Sequence, residues 1–276
     1  MRYNVSVHSS EGGKKFAQRL REDAQFRKRI SESRKLRKGS DWIKTASKKG
    51  VEARQIIREK RNKIIEDKLL TKLKDKKTYL LIAKLCGFLS GDGHIKIRID
   101  KKGWHHHEIR FYPDSLDIAN VFTETFKEIY EKEPSITALH NFYKVAVTSK
   151  VACDYLLKIS NFDTHNWDIP NFVLDSNELK VEFLKAIFDC EASVSKNNIQ
   201  FQSVNKNGIY GLKKLLEDLR ICSNVYTYKR PNPNWNTNYI MIISRKENIK
   251  RYAELIGFNH PAKQKKLAKL AGVPER

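Results

Sequence analysis

From Thr78 onward, apolar and polar positions run through one order of elements twice. The first pass opens on Tyr79-Leu-Leu-Ile-Ala-Lys-Leu-Cys-Gly-Phe-Leu-Ser-Gly-Asp-Gly93, an apolar helix closing in small residues and an acid. The second opens on Leu179-Lys-Val-Glu-Phe-Leu-Lys-Ala-Ile-Phe-Asp-Cys-Glu-Ala192, of the same type. Alternating stretches follow. Ile95, Ile97 and Ile99 interleave with Lys96 and Arg98, and later Ile199 and Phe201 interleave with Gln200 and Gln202. A period of two predicts a half-buried antiparallel strand whose apolar members face the helices. Helices are predicted next over Leu116 to Tyr130 and Gly208 to Leu219. Second hairpins end in Val145-Ala-Val-Thr-Ser149 and Ile240-Met-Ile-Ile-Ser244, each serine suited to N-cap a following helix. The expectation is an α+β fold of two pseudo-symmetric αββαββα halves, residues 77–166 and 167–276.

The first 76 residues read differently. Phe16, Leu20, Phe26, Ile30 and Leu36 fall at near-helical spacing within a basic run, and Trp42, Ile43, Ile56 and Ile57 follow. Of 276 residues, 54 are Lys or Arg against 32 Asp or Glu, a net +22, and Met1–Leu80 alone holds 25 against 10, or +15. So lopsided a charge predicts a basic, mainly helical extension that meets a polyanion, because each phosphate neutralised releases condensed counterions. Phe26-Arg-Lys-Arg-Ile-Ser-Glu-Ser-Arg-Lys35 loosely resembles the small DNA-binding segments attached to phage and intron nucleases.

A composition 40% hydrophobic supplies a real core and excludes a disordered basic tail. No run approaches the roughly 18 apolar residues of a membrane span, and Met1 to Ser10 has no apolar stretch of signal-peptide type. An intracellular, cytoplasmic protein is expected, with an organellar compartment left open. Cys86, Cys153, Cys190 and Cys222 are widely spaced, without a Cys-x-x-Cys pair, and read as reduced, mostly core residues.

Leu85-Cys-Gly-Phe-Leu-Ser-Gly-Asp-Gly93 followed by His94-Ile resembles the nine-residue signature of the LAGLIDADG homing endonucleases, and Leu184-Lys-Ala-Ile-Phe-Asp-Cys-Glu-Ala192 followed by Ser193-Val resembles a second copy. The resemblance covers roughly residues 77–272. Departures are Ser90, where the family often has an acid, and Lys185, Ala186 and Ala192, where it prefers small residues and glycine. Ala192 matters most, since a terminal glycine lets the chain turn away from the helix end.

Cys86, Gly87 and Gly91 on one helix, with Ala186 and Cys190 on the other, form small-residue faces that let two helix backbones cross closely. Asp92 and Glu191 then emerge side by side at the two helix ends. Carboxylates there oppose the macrodipole and repel one another, so the pair calls for a cation. Hard oxygen ligands with open water positions suit Mg²⁺ or Mn²⁺, which can activate water and stabilise a phosphodiester's leaving oxygen. The outward strand neighbours Lys96, Arg98, Arg110, Lys144, Lys196, Gln200, Gln202 and Lys229 carry groups that suit guanine edges, phosphates and adenine, and the resemblance implies a saddle of two sheets over a DNA duplex. Phe258-Asn-His-Pro-Ala-Lys-Gln-Lys-Lys-Leu267 resembles the family's region supplying a basic residue near the active site, with Lys263 first and Lys265 next. The first half, at Ile159-Ser-Asn-Phe162 and Asp163-Thr-His165, has no equally clear counterpart. His105-His106-His107 has no evident matching carboxylate.

The leading expectation is a monomeric, pseudo-twofold, site-specific endonuclease making metal-dependent double-strand breaks in DNA. An intron RNA maturase, with intron RNA as partner, and a non-cleaving sequence-specific regulator are the alternatives on the same scaffold. Retention of Asp92 and Glu191 favours cleavage, since a pure binder gains nothing from paired carboxylates near phosphates. An intein origin is not expected, because Met1 begins the chain and Pro274-Glu-Arg276 ends it without a splicing nucleophile or terminal Asn.

Overall fold

The computed structural model describes residues 18, 22–28, 31, 32, 41–101, 103–229, 232 and 234–274. Phe16, Leu20, Ile30 and Leu36, part of the predicted basic helices, lie outside the described residues. Two compact units divide the chain, Met1–Arg61 and Asn62–Arg276. Helix α1 (Asp41–Lys72) runs through the division. In its last turns, within the second unit, Leu69 is buried, Lys68 reaches Glu131 at 2.6 Å and the Lys72 ammonium donates to the Glu128 carbonyl at 2.8 Å.

Helix α2 (Lys76–Asp92) starts at Asp75, whose carboxylate accepts from the Lys77 N–H, a side-chain cap that supplies a partner to an otherwise orphan donor. The first half continues through β1 (Gly93–Ile99), β2 (His105–Phe111), α3 (Leu116–Tyr130), β3 (Ser135–Ala138), β4 (Tyr143–Thr148) and α4 (Lys150–Ile159). A linker and a short 3-10 turn (Asn171–Asp175) lead to α5 (Asn177–Glu191), β5 (Ala192–Val194), β6 (Ile199–Ser203), α6 (Lys206–Asp218), β7 (Asn224–Tyr228), β8 (Asn238–Ile243), α7 (Lys246–Leu255) and α8 (Pro261–Ala271). The sheets are ordered β1-β2-β4-β3 and β5-β6-β8-β7, the same antiparallel topology twice. The second half adds α8 to the repeated order.

The core lies where the helices cover one face of each sheet. Ile109, Phe111, Val145 and Val147 of the first sheet, and Ile199, Phe201, Met241 and Ile243 of the second, are buried. Phe111 stacks on Phe122 at 4.7 Å between ring centres, and Phe188 meets Phe201 at 5.0 Å. Between the halves, α2 packs along α5 at backbone contact. A Cβ on Gly87 would lie 2.4 Å from the Phe183 carbonyl oxygen, and one on Gly91 would lie 2.5 Å from Cys190 Cβ. Only hydrogen fits at these two positions, which is the close crossing that the small-residue faces predict.

Four expectations need correction. Ile97 and Ile99 are exposed, at 45% and 63%, because β1 is an edge strand whose end pairs with His107 and His105 instead of apolar residues. Ser149 does cap α4, but Ser244 caps nothing: α7 begins after Arg245, without a side-chain cap bond. Cys222 is exposed and not a core residue. Finally, Ala192 puts no strain on the motif's end, since both helix C-caps are extended, at φ −111° for Gly93 and −87° for Ala192. Gly93 answers a steric demand instead, for a Cβ there would lie 2.7 Å from Leu89 Cα.

Candidate active site

The crossing of α2 and α5 delivers the last residue of each helix, Asp92 and Glu191, to one place. A Cβ on Gly91 would stand 3.8 Å from Glu191 Cγ, which measures how near the two ends come. Burial pushes the Asp92 carboxyl up to about 6, with Asp114 adding repulsion and Lys263 and a Cys190 hydrogen bond opposing the rise. Loss of hydration also pushes Glu191 up, to about 7, with Asp92 adding to it and Lys263 again opposing. The Glu191 side chain still opens to solvent. Neighbouring carboxylates thus add to the cost of ionisation, Asp114 for Asp92 and Asp92 for Glu191, as like charges in one partly desolvated site do.

Lys263 is the cation nearest in influence. Its ammonium donates to the Asp189 and Cys190 carbonyls at 2.5 and 3.1 Å, capping the C-terminal end of α5 where a positive charge complements the helix dipole. Lys265 is exposed. Three further groups stand here to which the sequence reading assigned no role. Asp114 raises Asp92 across the site, and His260 places Nε2 3.5 Å from Asp114 Oδ1. His94, directly after the motif, stacks on Tyr112 at 5.8 Å; burial and then Arg110 hold its pKa below the usual imidazole value. Asp114 and His94 follow from position alone: one precedes the Ser115 cap of α3, the other the Asp92–Gly93 junction.

Strand register sorts the other predicted residues. In the first sheet the pairs His94–Arg110, Lys96–Glu108 and Arg98–His106 share the face opposite the helices, together with Lys144 on β4. Arg110 is held by Glu108 at 2.6 Å, so a carboxylate interrupts an otherwise cationic face. In the second sheet Gln200 and Gln202 take the outward face beside Ile240 and Ile242 of β8 and Tyr226 and Tyr228 of β7. Asn238 donates to Gln202 Oε1 at 3.0 Å. Lys196 and Lys229 do not lie on strand faces; they fall in the β5–β6 turn and after β7. The outward surfaces are therefore unlike: basic in the first half, amide, aromatic and aliphatic in the second.

The histidine run does have acids beside it. His106 Nε2 lies 3.1 Å from Asp100 Oδ2, and His107 Nε2 3.9 Å from Asp154 Oδ1, on opposite sides of the strand. Among the described residues no three His, Cys, Asp or Glu side chains converge on one metal position. A cavity of about 520 Å³ lies elsewhere, between the end of α4, the linker and α6, lined by Leu157, Ser160, Asn161, Trp167, Asn207 and Gly208, and neither Asp92 nor Glu191 reaches it.

Paired motif helices and twin four-stranded sheets define the fold, a LAGLIDADG-like arrangement with the same unit twice in one polypeptide. Residues 178–257 match the family model of the LAGLIDADG-like domain. The fold is that of the homing endonuclease I-DmoI: one of its structures matches with a TM-score of 0.54 and 16% identity over 66% of this chain and 97% of the other. An I-DmoI structure in complex with DNA and Mn matches at 0.53 and 16%, over 65% and 97%. In sequence, 194 residues are 25% identical to the glutamine–fructose-6-phosphate aminotransferase (isomerizing) of Methanocaldococcus jannaschii, 67% of this chain and 17% of that protein. A replication factor C small subunit of the same organism is 25% identical over 196 residues, 68% and 10% of the two chains. This chain thus spans 17% or less of the length of these curated relatives. No described helix is long and apolar enough to cross a membrane.

Proposed function

We propose that this protein is a site-specific homing endonuclease that hydrolyses both strands of a DNA duplex with a divalent metal. The observation that carries the reading is the meeting of Asp92 and Glu191 at the ends of two close-packed helices, in surroundings that penalise both negative charges. A fold gains nothing from that penalty, whereas hard oxygen donors held under strain of charge fit a magnesium or manganese ion. Asp92 and Glu191 would hold it, leaving the remaining positions to water and phosphate oxygens. When bound, such an ion lowers the pKa of water and stabilises the leaving oxygen of a phosphodiester.

The chain's own residues do the rest. Lys263 keeps a positive charge beside the pair, where a transferring phosphate would sit. The first sheet's Lys96, Arg98 and Lys144 would draw the duplex down by its phosphates and offer donors to guanine edges; Gln200 and Gln202 would read adenine in the other half. Lys196, in the β5–β6 turn, and Lys229, just after β7, would meet phosphates rather than bases. That similar segments occupy a small part of an aminotransferase and of a replication factor subunit also fits a module that spreads independently of its host's activity. The basic residues 1–61 would add sequence-independent affinity.

Cleavage of a library of duplex sites with Mg²⁺ tests the reading. Asp92→Asn and Glu191→Gln should each abolish double-strand cleavage while site binding in Ca²⁺ persists, and retained double-strand cleavage in either variant would refute it. Exposed Tyr226, Tyr228 and Trp235 support a second reading, since aromatic faces stack on unpaired bases of structured RNA. Tighter binding to intron RNA than to any duplex would favour that one.

A further inference from the structure

Asp189 occupies the position in the second motif that Ser90 occupies in the first, two residues before the paired acids. The two are used in opposite ways. Ser90 is buried with its hydroxyl unpartnered. Asp189, 1% exposed, accepts three hydrogen bonds from one loop: the Asn259 N–H at 2.9 Å, the Asn259 side-chain amide at 2.7 Å and the His260 N–H at 3.0 Å. A buried carboxylate is retained only when its acceptor sites are filled in this manner. The loop is fixed from its other side as well. Gly257 takes a left-handed φ of +65°, and the Phe258 N–H donates to Gln264 Oε1 at 2.9 Å. Directly after His260, Pro261 begins α8, whose third residue is Lys263. His260 itself extends to Asp114 of the first half. The linker after α4, where a first-half equivalent would fall, instead folds Ser160 back onto the Asp168 carbonyl and leads to the 3-10 turn.

We infer that Asp189 is a positioning residue: by gripping Asn259 and His260 it sets the start of α8 and so holds Lys263, contributed by the second half alone, beside the Asp92–Glu191 pair, making the two strand cuts unequal. The inference rests on the nuclease reading for its consequence, though not for its geometry. A duplex across the pseudo-twofold presents one scissile phosphate from each strand to two equivalent carboxylates. Only one of those phosphates would then have an ammonium beside it, and that strand would be cut first.

The test compares Asp189→Ser, which copies the first motif, Asp189→Asn, which keeps an oxygen for the two backbone donors, Lys263→Ala, and the double variant Asp189→Ser/Lys263→Ala. Two readouts are taken on the full chain: nicking rates of each strand of a cleaved duplex, and acylation of Lys263 by an activated ester without DNA, followed by mass spectrometry. Asp189→Ser should slow one strand about tenfold or more over the other, matching Lys263→Ala, with Asp189→Asn less affected. The double variant should be no slower than Lys263→Ala alone, since Asp189 acts through that lysine. Lys263 acylation should rise severalfold in Asp189→Ser. Equal slowing of both strands, a further loss in the double variant, or unchanged acylation would overturn the inference. A wild-type protein that cuts nothing would refute the nuclease reading, and the acylation result would then decide the positioning role by itself.

Discussion

Replacing Asp92 by Asn should make the metal-free protein more stable at about pH 8, although it removes a residue central to the site. The folded state holds the Asp92 carboxyl at about 6 against an ordinary 3.8. Between those values the folded protein binds more protons than the unfolded chain, so stability falls as pH rises through the window and levels off above it. At about 1.4 kcal/mol per pH unit the cost of ionisation is about 3 kcal/mol, and partial solvent access reduces the expectation to roughly 1–2 kcal/mol. Asn removes that cost and keeps the shape. For a chain of this size the gain is about 2–8 °C in Tm. Glu191, displaced in the same direction toward about 7, extends the wild-type loss to higher pH, and part of it should remain in the variant. The assay is thermal unfolding by circular dichroism at about pH 4 and about pH 8, with chelator and then with Mg²⁺. Near pH 4 the two proteins should melt together. Near pH 8 the variant should melt higher in chelator, while Mg²⁺ should raise only the wild-type Tm, since binding to the folded state stabilises by mass action. A variant less stable than wild type near pH 8, or an unchanged pH slope, would refute the idea that both acids are held at a cost.

Gln200→Ala and Gln202→Ala should each relax base preference at one or two positions by about 1–3 kcal/mol with little change in Tm, whereas Phe201→Ala should cost roughly 3–5 kcal/mol of stability by opening a core cavity; base-substitution binding profiles beside melting curves decide it, and the reverse pattern would mean a one-residue slip of β6. Gly87→Ala, whose new Cβ meets the Phe183 carbonyl at 2.4 Å, should destabilise by about 1–3 kcal/mol or more, measured by denaturant unfolding; a neutral outcome would contradict the close helix crossing. Removing residues 1–61 should flatten the slope of log K against log salt by about 0.9 for each phosphate no longer neutralised without altering the preferred site, as read by binding titrations across a salt series.

The sequence by itself determined the repeat, the element order and the two acids. Those features rest on local periodicities of 3.6 and 2 and on small residues at fixed offsets, which one strand of text displays. It also marked Phe201 as core against Gln200 and Gln202, because a central strand under a helix cannot hide its alternation. Ile97 and Ile99 carried the same alternation and were exposed nonetheless, since β1 is an edge strand and its neighbours decide burial. Ala192 looked like a flaw only while the cap was taken to need a left-handed residue. Tertiary structure alone decided the surroundings of the acids: Asp114 and the Asp189-bound loop come from other segments, the loop about 70 residues beyond its anchor. The charge of a carboxylate is legible in its letter, but the cost of that charge depends on which groups displace its water, and those are chosen by packing across the whole chain.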